Sequence, residues 1–185
     1  MQLKFEEIKH IQPPRFFDNR GYFSETYNIS KLRKMGIESD FVQDNHSLSN
    51  EKGTLRGMHF QSPPFAQEKL IRCIRGSIFD VVVDVRKGSQ SYGNWKGYEL
   101  SSKKGNQLFI PTGFAHGFVT LSKNSEIIYK CSNYYAPEME YSINWNDPNI
   151  GIQWPLKTNP ILSEKDRNAP LLKNIESPFI FGENS

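Results

Sequence analysis

No stretch of the 185 residues approaches the ~18 consecutive apolar residues of a membrane-spanning helix. The opening MQLKFEEIKH is charged from the start and lacks the apolar core of a secretory signal, so a cytoplasmic protein is the expectation. Only two cysteines occur, Cys73 and Cys131. Both lie in strand-like apolar stretches without CxxC spacing and read as buried free thiols rather than a disulfide or a metal site. The glycine-rich phosphate loops GxGxxG and GxxxxGK[ST] and the GxSxG elbow are missing, which takes away the main support for dinucleotide, P-loop and serine-hydrolase chemistry. Charge of one sign is scarce too: 23 basic against 20 acidic residues leave a net +3 spread along the chain. That is too mild for a nucleic-acid footprint but suits a small anionic ligand.

What is present is β-structure. Thirteen glycines and eleven prolines punctuate runs rich in β-branched and aromatic residues: QLKFEEIKHI, KLIRCIRGSIFDVVVDVR, GNWKGYELS, NQLFIP, HGFVTLS and SEIIYKCSNYY. Such spacing predicts an all-β sandwich or barrel. The length suits a single domain over residues 1–185 with its own core. Helical pattern is confined to Ser30 to Met35, capped by Asn28 or Ser30 and stopped by Gly36, and to a short piece from Ser163 in LSEKDRN. From Lys157 onward the alternation is lost, and this stretch reads as a tail packed over the barrel, with GENS frayed at its end.

Two of the four histidines stand in suggestive settings, RGMHFQ (56–61) and IPTGFAHGF (110–118). Strand parity puts Gly57, His59 and Gln61 on one face and points Arg56 away, unless Gly57 forms a bulge that turns Arg56 back to the same cavity. Lys69 shares a face with Ile71 and Cys73, and is either snorkelling at a barrel mouth, solvated at an edge, or aimed inward. PTGFAHG places His116 after a PxGxx turn, as in small barrels of the cupin type. Metal-binding members of that type use HxH followed by a carboxylate. Here the series is His59, Gln61 and then the cation Lys69, which would hold a divalent metal poorly. Taken singly, His116 reads equally as a core histidine, Tyr129 as a volume filler with a satisfied hydroxyl, and Asp166 as a first-turn helix carboxylate.

Together these motifs carry a resemblance. DNRGYFSETYN (18–28), FVQDNHSLS (41–49), GTLRGMHFQSPPFAQEKLIR (53–72), IFDVVVDVRKGSQSYGNW (78–95), IPTGFAHGF (110–118), IYKCSNYYAPEME (128–140), INWNDPNIGIQWP (143–155) and ILSEKD (161–166) resemble, in order, the dTDP-4-dehydrorhamnose 3,5-epimerase family. The resemblance implies a cupin-like jelly roll, usually dimeric, that needs neither metal nor nicotinamide cofactor. The implied substrate is a nucleotide-diphosphate 4-keto-6-deoxyhexose, inverted at C3 and C5. In that reading His59 is the base, Asp166 orients it, Lys69 stabilises the enolate oxygen at C4, and Tyr129 returns a proton from the opposite face. The resemblance also carries Arg20, Glu25, Gln43, Asn45, Arg56, His116, Glu140 and Lys165 into nucleotide and sugar contacts, and stacks Tyr135 on the nucleobase. Arg20 and Glu25 reach the neighbouring subunit's site.

Two features depart from the family pattern. Pro13 and Pro14 in HIQPPRF cannot both donate to a ladder where the family's opening strand is longer, and Glu68 stands beside Lys69, with parity sending it outward. Three other readings stay open: an epimerase acting at C3 or C5 alone, a non-catalytic sugar-nucleotide-binding cupin, and a metal-dependent cupin.

Overall fold

Inward apolar and outward polar residues alternate along short runs, and a computed structural model, describing residues 5–182, pairs those runs into two facing sheets of five strands each. One sheet has the order β1 (Lys9–Ile11), β9 (Gln107–Ile110), β6 (Lys69–Arg75), β11 (Ser125–Cys131) and β4 (Gln43–Ser49). The other has the order β12 (Glu140–Ser142), β5 (Leu55–Gln61), β10 (Phe114–Thr120), β7 (Ser77–Asp84) and β8 (Trp95–Ser101). Neighbouring strands are antiparallel throughout. This is the cupin-type jelly roll expected from the sequence. A hairpin of β2 (Phe16–Asp18) and β3 (Gly21–Phe23) stands apart, and Pro13 and Pro14 fall in the gap between β1 and β2.

Burial explains the layering. Ile71, Cys73, Ile78, Val82, Leu108, Phe114 and Ile127 point between the sheets and fill one end of the barrel. Their outward neighbours are also covered: Val81, Val83, Ala115 and Met58 pack under Ile150, Ile152, Leu172 and Phe179 of the carboxyl-terminal segment. Of these four, Leu172 and Phe179 lie in the stretch from Lys157 onward, and Ile150 and Ile152 precede it. On the other sheet Leu70 and Phe109 lie beneath Leu32 of α1 (Ile29–Arg33). Asn28 caps α1 by accepting from the Lys31 amide, and Gly36 leaves the helix at φ +79°. Each helix the sequence predicts is present, the second being α2 (Glu164–Arg167) with Ser163 as its cap.

The opening run differs from expectation. QLKFEEIKHI reads as one strand, yet among its described residues only Lys9–Ile11 pairs, and Glu6 and Glu7 lie in a turn. The Ile8 amide donates to the Phe5 carbonyl at 3.2 Å, which puts both apolar side chains into the barrel core and leaves the two glutamates in solvent. A continuous strand would have had to bury a carboxylate, so the turn wins. Of the GENS end, Gly182 is exposed and the last three residues lie outside the described residues.

The decisive irregularity is in β5. His59 pairs with His116 and Arg56 pairs with Phe118, so β5 takes three steps where β10 takes two. His116 and Phe118 share a face of β10, and the extra residue therefore brings Arg56 onto the face of His59. Simple alternation is overruled by the bulge at Gly57. Only glycine serves there: φ is +119°, and a β-carbon would lie 2.5 Å from Gly117 Cα and 2.7 Å from the His116 carbonyl oxygen. Gly57→Ala is expected to cost at least ~2 kcal/mol through backbone strain and overpacking. Gly88→Ala, at φ +81° with open space around it, is expected to cost about 1 kcal/mol. Chemical denaturation of both variants checks the contrast, and equal losses would contradict it.

Candidate active site

Next to the packed core, the barrel opens into a cavity of two lobes, about 310 and 420 Å³, that meet at His59, Lys69 and Tyr129. Gln43, Asn45, Gln67, Tyr135 and Glu140 line the first lobe. Arg56, His116, Phe118 and Asp166 line the second. His59 comes from one sheet, while Lys69 and Tyr129 come from the other. The imidazole and the phenol thus stand on opposing walls.

The tail supplies the partner of His59. A parallel bridge between Thr54 and Ile161, with the Leu55 amide donating to the Ile161 carbonyl at 2.9 Å, ties the tail to the start of β5. Ser163 then caps α2 by accepting from the Asp166 amide at 3.1 Å. Asp166 Oδ1 lies 2.6 Å from His59 Nε2, with the carboxylate side chain only 4% exposed. Burial raises the Asp166 carboxyl, but the hydrogen bonds from His59, Ser163 and the Gly57 backbone outweigh it and hold the group below its ordinary value. The same bond assigns the Nε2 proton of neutral His59 to the aspartate side, leaving Nδ1 as the free acceptor. Glu140 Oε1 is 3.9 Å from that Nδ1.

Burial also sets the remaining groups. It pushes the Tyr129 phenol up, so that Tyr129 is a protonated donor at neutral pH. It pushes the Lys69 ammonium down, opposed in part by its acidic neighbours Glu140 and Asp80. Burial pushes the His116 imidazole down as well, opposed by Asp80. Of the readings open for Lys69, the inward one holds, and Glu68 points to the outside, where it bonds Ser39.

Around these groups, Glu140 Oε2 accepts from Lys165 Nζ at 2.5 Å and from the Tyr135 hydroxyl at 2.8 Å, while Gln43 Oε1 accepts from the Tyr135 amide at 3.0 Å. Gln43 also donates to Asn45 at 3.1 Å. Arg56 leans on Ser49 Oγ and the Leu48 carbonyl, both at 3.2 Å. Arg20 and Glu25 are not brought to this cavity. Arg20 is 85% exposed and paired to Asp18 at 2.6 Å on the hairpin, and Glu25 is paired to Lys31 at 2.7 Å.

Several residues that matter were passed over in the sequence. Gln61, where metal-binding cupins place a second histidine, uses its amide to accept from the Ala136 amide and to donate to the Phe65 and Tyr134 carbonyls, fixing the loop that carries Tyr135. Cys131 receives Asn45 Nδ2 at 3.6 Å beside Lys69. Asp80, fully buried, bonds His116 Nε2 at 2.9 Å. Its signal was legible: in IFDVVVD, Asp80 shares parity with Ile78 and Val82, the core-facing set, and a carboxylate on a core face needs a partner.

A jelly roll whose open end carries a carboxylate-held imidazole facing a buried phenol, with a lysine beside it, is a cupin-type barrel equipped for proton transfer at carbon, the class of the isomerases. Comparison with known proteins narrows the class. The family model for dTDP-4-dehydrorhamnose 3,5-epimerase matches residues 2–174. The Sinorhizobium fredii dTDP-4-dehydrorhamnose 3,5-epimerase is 50% identical over 177 residues, 96% of this chain and 91% of that protein. The enzyme of the same name from Salmonella typhimurium is 53% identical over 167 residues, 90% and 91% of the two chains. The crystal structure of dTDP-6-deoxy-D-glucose-3,5-epimerase from Legionella pneumophila, in complex with dTDP-4-keto-L-rhamnose, superposes with a TM-score of 0.90 at 44% identity, covering 95% of this chain and 93% of that one. The chain belongs to the dTDP-4-dehydrorhamnose 3,5-epimerase family.

The Asp166 carboxyl gives a pH signature. A carboxyl held below its ordinary value contributes stability that is present above ~4 and lost as pH falls through the folded-state value. The stability advantage of the native chain over Asp166→Asn is therefore expected to be larger at pH 7 than at pH 3 in chemical denaturation. An advantage independent of pH would contradict the assignment.

Proposed function

We propose that the chain converts dTDP-4-dehydro-6-deoxyglucose to dTDP-4-dehydrorhamnose by inverting C3 and C5, the two carbons beside the C4 ketone. The observation that carries this reading is the placement of His59 and Tyr129 on opposite sheets of one cavity, with Lys69 on the wall of Tyr129. Inversion needs a base on one face of the ring and an acid on the other, because a lone base restores the configuration it removes.

In the reaction His59 takes the proton from the carbon next to the ketone, and the C–H electron pair moves into the ring to form the enolate. Asp166 stabilises the resulting imidazolium and holds the ring in register. Lys69 meets the negative charge that collects on the C4 oxygen, a role for which a preorganised donor is worth roughly 3 kcal/mol. Tyr129 gives its proton to the opposite face of the same carbon, and solvent then resets both groups. The sequence of steps is redox-neutral and moves only protons, so it calls for no nicotinamide, and Lys69 supplies the positive charge at the C4 oxygen.

For binding, Arg56 suits the diphosphate, since a guanidinium fork matches its oxygens. The amide-lined lobe suits the base: Tyr135 would stack on it, with Gln43, Asn45, Glu140 and Lys165 around the nucleotide, and His116 would contact the sugar. Arg20 and Glu25 would serve the site of a second copy, making the active form a homodimer with shared sites. The hairpin that carries Arg20 exposes Phe16, Phe17, Tyr22 and Phe23. Two strands with four uncovered aromatics are marginal alone and favour a partner surface. The protein is expected to act in the cytoplasm; no described helix is long and apolar enough to cross a membrane.

Proton NMR of dTDP-4-dehydro-6-deoxyglucose incubated with the protein in deuterated buffer tests the proposal. Deuterium at both C3 and C5, with formation of the doubly inverted sugar, is the expected result. Exchange at one carbon would make the protein a single-position epimerase, and none at either would make it a sugar-nucleotide-binding protein. His59→Asn is expected to lower kcat by about 10³-fold, the range of a lost general base, while leaving dTDP affinity unchanged. Turnover near the native rate would remove His59 from its role.

A further inference from the structure

Two loops, 62–68 and 132–136, border the first lobe and bring Gln67 and Tyr135 to it, and one buried side chain holds both loops. Gln61 of β5 is 4% exposed and uses its whole amide on them. Its Nε2 donates to the Phe65 carbonyl at 2.6 Å and to the Tyr134 carbonyl at 3.1 Å, and its Oε1 accepts from the Ala136 amide at 3.0 Å. A neutral imidazole in its place could not do this, having one donor and one acceptor where a primary amide has two N–H bonds and a carbonyl oxygen. The loops are laced together beyond Gln61 as well, by Gln67 Nε2 donating to the Asn133 carbonyl at 2.8 Å and by Asn133 Nδ2 donating to the Pro64 carbonyl at 2.9 Å.

We propose that Gln61 is a positioning residue for the nucleobase, holding the Tyr135 loop in its binding conformation before any nucleotide arrives. This rests on the proposed reading in which Tyr135 stacks on the base. Tyr135 needs such support because it is 54% exposed, so burial of its ring contributes little to fixing it. Three consecutive residues are instead held through their backbone from both sheets. Gln61 of β5 takes the Tyr134 carbonyl and the Ala136 amide, and Gln43 of β4 accepts from the Tyr135 amide at 3.0 Å. The Tyr135 hydroxyl is tied in turn to Glu140 at 2.8 Å. A loop held in this way is ordered by folding rather than by binding, which tightens binding without any further contact to the ligand.

The bonds of Gln61 also separate this role from proton transfer. Gln61 lies two residues beyond His59 on the same strand, yet all three of its bonds run to the loops and none to the proton-transfer groups. Removing the amide would strand one N–H and two carbonyls of the loops, which must then move to find water. His59 would keep its own bond to Asp166 at 2.6 Å. The loss therefore falls on nucleotide affinity and KM, and kcat is spared.

The test is Gln61→Met, which keeps the length of the side chain and removes its hydrogen bonds. Kd for dTDP and KM are expected to rise about tenfold, with kcat within about twofold of native, as lost preorganisation of a binding loop requires. In a Tyr135→Ala background the same substitution is expected to leave Kd unchanged, because the ring it positions is gone. Native Kd in folded Gln61→Met overturns the inference. An equal rise in Kd with and without the Tyr135 ring assigns Gln61 a merely structural role and overturns it too. Should Gln61→Met not fold, hydrogen exchange in the native protein decides: an Ala136 amide already protected in the free protein supports the inference, and protection that arises only when dTDP is added overturns it. Tyr135→Ala that binds dTDP as tightly as the native chain would instead strike at the stacking contact of the proposed function, so the two failures are told apart by the two single variants.

Discussion

Where Gly57 passes Gly117 the two strands run too close for any β-carbon, and the extra residue that this closeness accommodates in β5 decides which side chains the cavity receives. With a regular ladder, Arg56 would point to the opposite face and the cavity would lose the guanidinium best suited to a diphosphate. With the bulge, Arg56 and His59 share a wall. The rest of that wall follows from the same strand: Gln61, two residues beyond His59, fixes the Tyr135 loop, and Leu55 receives the tail that delivers Asp166.

The second organising theme is the treatment of charge in a dry barrel. Two imidazoles lie side by side on β5 and β10, each held from behind by its own carboxylate, Asp166 or Asp80. Across from them stand a lysine that burial pulls toward neutrality and a tyrosine that burial keeps protonated. Desolvation thus gives the phenol the state that proton donation needs and works against the state that the ammonium needs. The carboxylates Glu140 and Asp80 oppose that loss without reversing it.

Much of this was legible in the chain. The strands followed from runs rich in β-branched and aromatic residues between glycines and prolines, and both short helices followed from their Asn28 and Ser163 caps. The family resemblance brought His59, Lys69, Tyr129 and Asp166 into one site, and the structure lines one cavity with all four. Parity alone misdirects Arg56, and the bulge at Gly57 that the sequence offered as the alternative turns it back to the cavity. Two things escaped. The opening run looked like a strand because Phe5 and Ile8 are apolar, but the glutamates between them force a turn. Asp80 hid inside a strand that otherwise reads as core, where a single buried polar residue is easily taken for an exception rather than the partner of a histidine 36 positions away.

The central claim is that removal and return of the proton are separate acts by groups on opposite walls. It is tested most directly with Tyr129→Phe in deuterated buffer, comparing the rate at which solvent deuterium enters beside the ketone with the rate at which configuration inverts. The account predicts continued exchange with retained configuration, driven by His59 from its own face, and inversion slowed by at least about 100-fold. Inversion at the native rate in that variant would contradict the two-wall mechanism.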